Sequence, residues 1–196
     1  MLHRTFTAGA LALAATGSAS AALTFFTNEA DFLAALSSFQ TDTFSVADQL
    51  IEPGMPAAGD LLTISANGSD NAFDDAGIFG GELNLAVENA AHQSYTISGL
   101  DGATAFGATF TSPQSSQGFL LEFGDDVMSL NGLWDAPFGT SFLGWISDGP
   151  AVDEFRFINN SGFEAVTLDN AHFGVPAPGA AALLGLSGLA AAGRRR

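Results

Sequence analysis

Residues 164 to 173 read Glu164-Ala165-Val166-Thr167-Leu168-Asp169-Asn170-Ala171-His172-Phe173. Apolar and polar side chains alternate from Val166 to Asp169, the period of two that a strand with one buried face requires. The same period predicts strands over Thr41–Val46, Leu61–Ala66, Gly81–Glu88, Ser94–Ser98, Thr104–Thr111, Gly118–Phe123, Phe142–Ile146 and Phe155–Asn159. Turn-forming clusters separate them: Pro53-Gly54, Asn67-Gly68-Ser69-Asp70-Asn71, Asp101-Gly102, Gly124-Asp125-Asp126 and Asn159-Asn160-Ser161-Gly162. No alternation of strand and helix points to a parallel sheet. Many short strands at this spacing predict an all-β fold, an antiparallel β-sandwich or jelly roll.

One helix is expected, near the N-terminus. Thr27 or Asn28 can cap it, Glu29 and Asp31 suit its first turn, and Phe32, Leu36 and Phe39 would line one face. Composition agrees with the strands: 18 Phe and 47% hydrophobic residues supply a core, and 23 Gly supply turns. No cysteine is present, which excludes disulfides, thiol nucleophiles and cysteine-based zinc sites.

The charges are lopsided, with 21 acidic residues against 5 basic ones. Between Ala22 and Gly174 all 21 carboxylates face a single guanidinium, Arg156, for a formal charge of −20. Such a domain lacks the clustered cations that contact phosphates, so no nucleic-acid partner is expected. The same field concentrates divalent cations and makes Ca²⁺ a candidate partner. It is equally what a secreted protein carries for solubility alone.

Both ends read as targeting segments. Arg4, an apolar run from Phe6 to Ala15, and Ala19-Ser20-Ala21 have the three-part anatomy of a secretory signal peptide, residues 1–21, cut after Ala21 with Ala19 and Ala21 as the small flanking residues. The other end runs Val175-Pro176-Ala177-Pro178-Gly179, an Ala/Leu/Gly stretch from Ala180 to Ala192, and Arg194-Arg195-Arg196. The prolines stop the preceding strand, the apolar stretch forms a short hydrophobic helix that can insert in a membrane, either transiently or as a lasting anchor, and the arginines hold its end at the cytoplasmic face. The organisation is therefore 1–21 signal peptide, 22–174 sandwich ectodomain and 175–196 tail.

Val-Pro-x-Pro, a small-residue apolar helix and a terminal arginine cluster, in that order, resemble the PEP-CTERM sorting signal, although the usual motif has Glu where this chain has Ala177. The resemblance implies a Gram-negative bacterial protein processed at Val175, Pro176, Ala177 and Pro178, with Arg194, Arg195 and Arg196 as the stop. Its partner would be an exosortase-type membrane protease, and its destination the outer envelope or extracellular matrix. The middle is similar, as a pattern, to ectodomains of such proteins. Phe32-Leu33-Ala34-Ala35-Leu36 matches their opening helix, and Phe142–Asp148 with Val166–Phe173 match their closing strands. The last of these is also similar to the final strand of jelly-roll carbohydrate-binding modules, where the residue matching Asp169 is a structural Ca²⁺ ligand.

The residues themselves carry no catalytic constellation. There is no Lys, no G-x-S-x-G elbow and no phosphate-binding loop. Among so many carboxylates a glycosidase-like pair would arise by chance. Two binding chemistries stand out instead. Asp70, Asp74 and Asp75 bring hard oxygen ligands into one Gly-containing loop that suits Ca²⁺, or a solvated turn. Trp134 and Tyr95 are candidate platforms for stacking a sugar ring, whereas Trp145 sits in a Phe-rich strand and reads as core. His172 reads as a packed or surface residue rather than a ligand. The resulting expectation is a non-enzymatic, exported matrix or polysaccharide-binding sandwich. A self-associating structural protein and a glycan hydrolase are the alternatives.

Overall fold

Asn28 starts the single helix among the described residues. Its side-chain oxygen accepts the Asp31 N–H at 3.1 Å, and Glu29 and Asp31 lie in the first turn, where carboxylates suit the helix dipole. The computed structural model describes residues 23–68, 76–87, 93–111, 119–124, 126–130, 139–159 and 164–178. Their elements are β1 (Leu23–Phe26), α1 (Glu29–Ala34), β2 (Leu36–Asp42), β3 (Gln49–Leu50), β4 (Ala57–Ala58), β5 (Thr63–Asn67), β6 (Gly77–Phe79) and β7 (Glu82–Val87), then β8 (Ser94–Ala103), β9 (Ala105–Thr111), β10 (Phe119–Phe123), β11 (Asp126–Ser129), β12 (Thr140–Ser147), β13 (Val152–Asn159) and β14 (Glu164–Pro176). All strand pairings between them are antiparallel.

Two sheets result. One runs β1-β12-β9-β14-β7-β6-β3, with β2 added to β14 beyond the end of β7; the other runs β11-β10-β13-β8-β5-β4. This is the antiparallel sandwich that the period of two predicts. Its inner faces meet in an aromatic core. The Phe106 ring lies 4.5 Å from Phe155 and 5.0 Å from Trp145, and Trp145 lies 5.5 Å from Phe155. Tilted and edge-on contacts of this kind add to the area the rings bury.

A smaller apolar cluster lies on the opposite face of the first sheet, where α1 packs Phe32 against Ala105, Phe142 and Ile146. Two facing glycines, Gly107 on β9 and Gly144 on β12, make its floor. A Cβ on Gly144 would stand 2.8 Å from the Phe32 ring, and one on Gly107 would stand 2.7 Å from the Phe142 ring. The helix therefore docks because two strands lack side chains beneath it.

Several boundaries differ from expectation. The helix ends at Ala34, and Leu36 already opens β2. Phe39, expected on the helix face, is a strand residue and 47% exposed. The strand predicted from Thr41 to Val46 stops at Asp42 because the chain turns there, with Phe44 at φ 50°. Asp101-Gly102 bends the chain within β8 instead of ending a strand.

The last strand also runs past residue 174, where the tail was expected to begin. Val175 pairs with Ser38 and Pro176 with Leu36, Ser37 Oγ donates to the Val175 and Pro176 carbonyls at 3.2 Å, and the Ala177 N–H bonds Ala35 O at 2.8 Å. Backbone pairing with β2 carries the sandwich through Ala177. Proline is tolerated at a strand's end because one missing N–H there costs little. No helix of the described residues is long and apolar enough to cross a membrane. Residues 1–22, with Ala19 and Ala21, and residues 179–196, with Arg194, Arg195 and Arg196, lie outside those described.

Tyr95 is fully buried, and its hydroxyl donates to the Ala86 carbonyl. Burial raises its pKa well above the ordinary phenol value. A raised folded-state pKa confers stability that is complete below the unfolded value, about 10, and lost as pH rises beyond it. Tyr95 is the chain's one tyrosine, so phenolate absorbance reports this group alone. No phenolate signal is expected until alkaline unfolding, and Tyr95→Phe should move that unfolding to higher pH. A phenolate band that develops while the far-ultraviolet signal stays native contradicts this.

Candidate binding face

The solvent face of the six-stranded sheet is built by register. Strand alternation turns Phe119, Leu121, Phe123, Phe155, Phe157 and Ile97 into the core. It therefore turns Glu122, Arg156 and Thr96 outward. These three stand side by side across β10, β13 and β8, with Ser65 of β5 next in the row. Ser94 and Asn67 are neighbours in the adjoining row.

Arg156 organises this face. Its two terminal nitrogens donate to Glu122 Oε2 at 2.9 Å and to Ser94 Oγ at 2.8 Å. Asn67 Nδ2 donates to Thr96 Oγ1 at 2.7 Å. The Arg156 and Glu122 side chains are 40% and 33% exposed, so water screens the ion pair and it adds at most about 1 kcal/mol to stability. Its consequence is positional: the guanidinium is tied to the neighbouring strands on both sides while the side chain stays partly exposed. Beside it lies an open cleft of about 570 Å³, lined by Glu122, Asp153, Glu154 and Arg156 over Gly124, Val152 and Phe155. Asp153 Oδ1 accepts the Gly102 N–H at 2.9 Å, while Glu154 stands exposed. Planar donors and acceptors set side by side match the paired hydroxyls of a polyol. Asp153 and Glu154 are both exposed, unlike the dry setting in which a carboxyl acts as proton donor in glycoside hydrolysis.

A second polar cluster joins α1 to the first sheet. His172 is buried; its Nε2 lies 2.8 Å from Glu29 Oε1 and its Nδ1 2.8 Å from Thr41 Oγ1. Rings of Phe39 and Phe142 flank the imidazole at 5.9 and 6.4 Å. With both nitrogens engaged, His172 is a clip between the helix, β2 and β14, which fits its reading as a packed residue. A third cluster surrounds Asp42. It is fully buried, and its oxygens accept the N–H groups of Phe44, Asp60, Leu61 and Leu62 at 2.7–3.1 Å.

The residues singled out by sequence fare differently. Tyr95 is not a stacking platform: it lies at 0% exposure between the sheets, because alternation along β8 aims it inward with Ile97. Trp145 is core, as read. Trp134, Asp70, Asp74 and Asp75 lie outside the described residues. Asp169 sits at an irregularity between Asp169 and His172 in the β14–β9 pairing. Its two oxygens accept from the Asn170 N–H at 2.7 Å and Nδ2 at 2.8 Å. The carboxylate that the jelly-roll resemblance assigns to Ca²⁺ thus takes part in a local turn with the next residue. No group of three or more metal-ligating side chains occurs among the described residues. Arg156 and Asp42 were not singled out as site residues. The signal for Arg156 was its isolation in an acidic domain; Asp42 has none, because its partners lie 2 and 18–20 residues away in loops.

No protein-family model and no curated protein matches the chain. Solved structures align with it only weakly. A family 29 carbohydrate-binding module aligns with TM-score 0.42 and 10% identity over 66% of this chain and 90% of that one. An Asp-to-Ala variant of module CBM29-2 complexed with mannohexaose gives 0.40, 12%, 66% and 93%, and a Lys-to-Ala variant complexed with cellulohexaose gives 0.41, 10%, 66% and 92%.

Proposed function

We propose that this chain is an exported, non-catalytic β-sandwich that binds neutral polysaccharide on the solvent face of its six-stranded sheet, and that its C-terminal tail sorts it to the envelope or matrix through an exosortase-type protease. The observation that carries the binding is the fixed row Glu122–Arg156–Thr96, its guanidinium anchored on the buried Ser94, with the cleft at its end. A glycan presents hydroxyls that both donate and accept, and this face offers both in planar groups. The formal charge of −20 repels uronate or sulfate polymers and leaves neutral chains as the compatible class.

Affinity electrophoresis through soluble neutral polysaccharides, with calorimetry against mannohexaose and cellohexaose, tests it. Arg156→Ala is expected to weaken binding roughly tenfold, the equivalent of about 1.4 kcal/mol. Arg156→Lys should recover little, since an ammonium lacks the planar fork. Binding that survives Arg156→Ala unchanged, or a wild-type protein that is retarded only by anionic polymers, overturns the reading. Mass spectrometry of the exported protein tests the sorting separately: a mature chain that retains Arg194 to Arg196 refutes it.

A further inference from the structure

The sandwich has several edges, and they differ in kind. β3 and β4 are two residues long, and β11 is four residues long and opens on Asp126. Short and charged edges resist pairing with other chains. β2 has neither protection. It spans seven residues, Leu36–Asp42, and among the described residues it is bonded along one side only, to β14. Ser37, Ser38, Phe39 and Gln40 are exposed in succession, and Phe39 is the most exposed aromatic ring among the described residues.

The charge pattern around β2 adds a second, independent observation. Residues 32–41 carry no ionisable side chain, and on the paired stretch of β14, residues 170–178, the only one is His172. Three carboxylates adjoin this corner. Glu29 is turned onto His172, Asp42 is buried among four N–H groups, and Asp101 lines the shallow groove beside Ser38, Gln40 and Val175. In a domain of formal charge −20, β2 is a strip with no charged side chain of its own before Asp42, bordered by the single groove-lining carboxylate Asp101, and it coincides with an unprotected strand edge.

We infer that β2 pairs antiparallel with β2 of a second copy, joining two sandwiches about a two-fold axis at the Ser38–Phe39 segment. Elsewhere two such molecules repel; along this strip the repulsion is least. An antiparallel strand pair is self-complementary, as a two-fold interface requires. The exposed Phe39 rings supply the apolar contact beside the backbone hydrogen bonds. A dimer of this kind carries two copies of the polar sheet face. It would bridge glycan chains, although the pairing itself does not depend on glycan binding.

Sedimentation of the purified protein over a concentration series tests the dimer without any glycan. A monomer–dimer equilibrium is expected, tightening as salt is raised, because screening relieves repulsion between the acidic bodies. Phe39→Asp and Gln40→Asp should each weaken it at least about tenfold, while Phe39→Leu retains it. The Gln40 side chain is exposed, so unchanged thermal unfolding is expected for Gln40→Asp. The chain has no cysteine of its own, so Ser38→Cys should give a disulfide-linked dimer on mild oxidation. A protein that stays monomeric at its highest soluble concentration overturns the inference. So does a dimer indifferent to both Asp substitutions, or one that salt dissociates.

Discussion

Asp42→Ala is expected to destabilise the fold by on the order of 4 kcal/mol, a large part of what a domain of this size possesses. Four backbone N–H groups, those of Phe44, Asp60, Leu61 and Leu62, converge on this one carboxylate. Alanine leaves all four without their acceptor. The site has little slack, since a Cβ on Gly59 would already lie 2.4 Å from Asp42 Oδ2. Asp42→Asn should fall between wild type and alanine, because the amide oxygen still accepts while the NH₂ confronts N–H donors. Urea denaturation measures both as a shift in midpoint at constant slope. A change below about 1 kcal/mol for alanine would show that water replaces the carboxylate fully. The knot also joins the end of β2 to the loop before β5, so it fixes how the strand of the proposed self-pairing leaves the sheet.

Trp145→Ala should cost about 3–5 kcal/mol, the range for emptying a buried aromatic position. Trp145 contacts four rings, with Phe106 at 5.0 Å, Phe155 at 5.5 Å, Phe123 at 6.1 Å and Phe157 at 6.4 Å. It thus bridges the two sheets at their centre. Its indole Nε1 is buried and has no hydrogen-bond partner among the described residues. An unsatisfied N–H is a cost the native state already carries, and phenylalanine removes it. Trp145→Phe is therefore expected to lose under about 1.5 kcal/mol, far less than the alanine variant. Equal losses in the two variants, measured in the same urea titration, would mean that the N–H has a partner.

Much of the architecture was legible because alternation is a local property. Val166 and Leu168 against Thr167 and Asp169 announce both the strand and its buried side, and Asn28 before Glu29 announces the helix start. The site was legible only in part. Arg156 stood out as the single interior cation, but not its neighbours, since Glu122 lies 34 residues and Ser94 62 residues away along the chain. Tyr95 and Phe39 were misjudged in opposite directions. An aromatic residue in an alternating segment can face either way, and a single register step decides which. Glu29 and His172, 143 residues apart, offered no sequence signal of their contact.

Composition and local patterning were enough for the class of the molecule. Period-two patterning, abundant Phe and Gly, and the absence of cysteine dictate a disulfide-free antiparallel sandwich, while the charge imbalance excludes nucleic acid. The tertiary structure decided what each surface can do. It placed Arg156 between Glu122 and Ser94, sank Tyr95 into the core, drew Val175 and Pro176 into the last strand, and left β2, among the described residues, unpaired along one edge. Propensity and alternation act within a few residues, but partners across a sheet are chosen by register and topology, which arise only when distant strands meet.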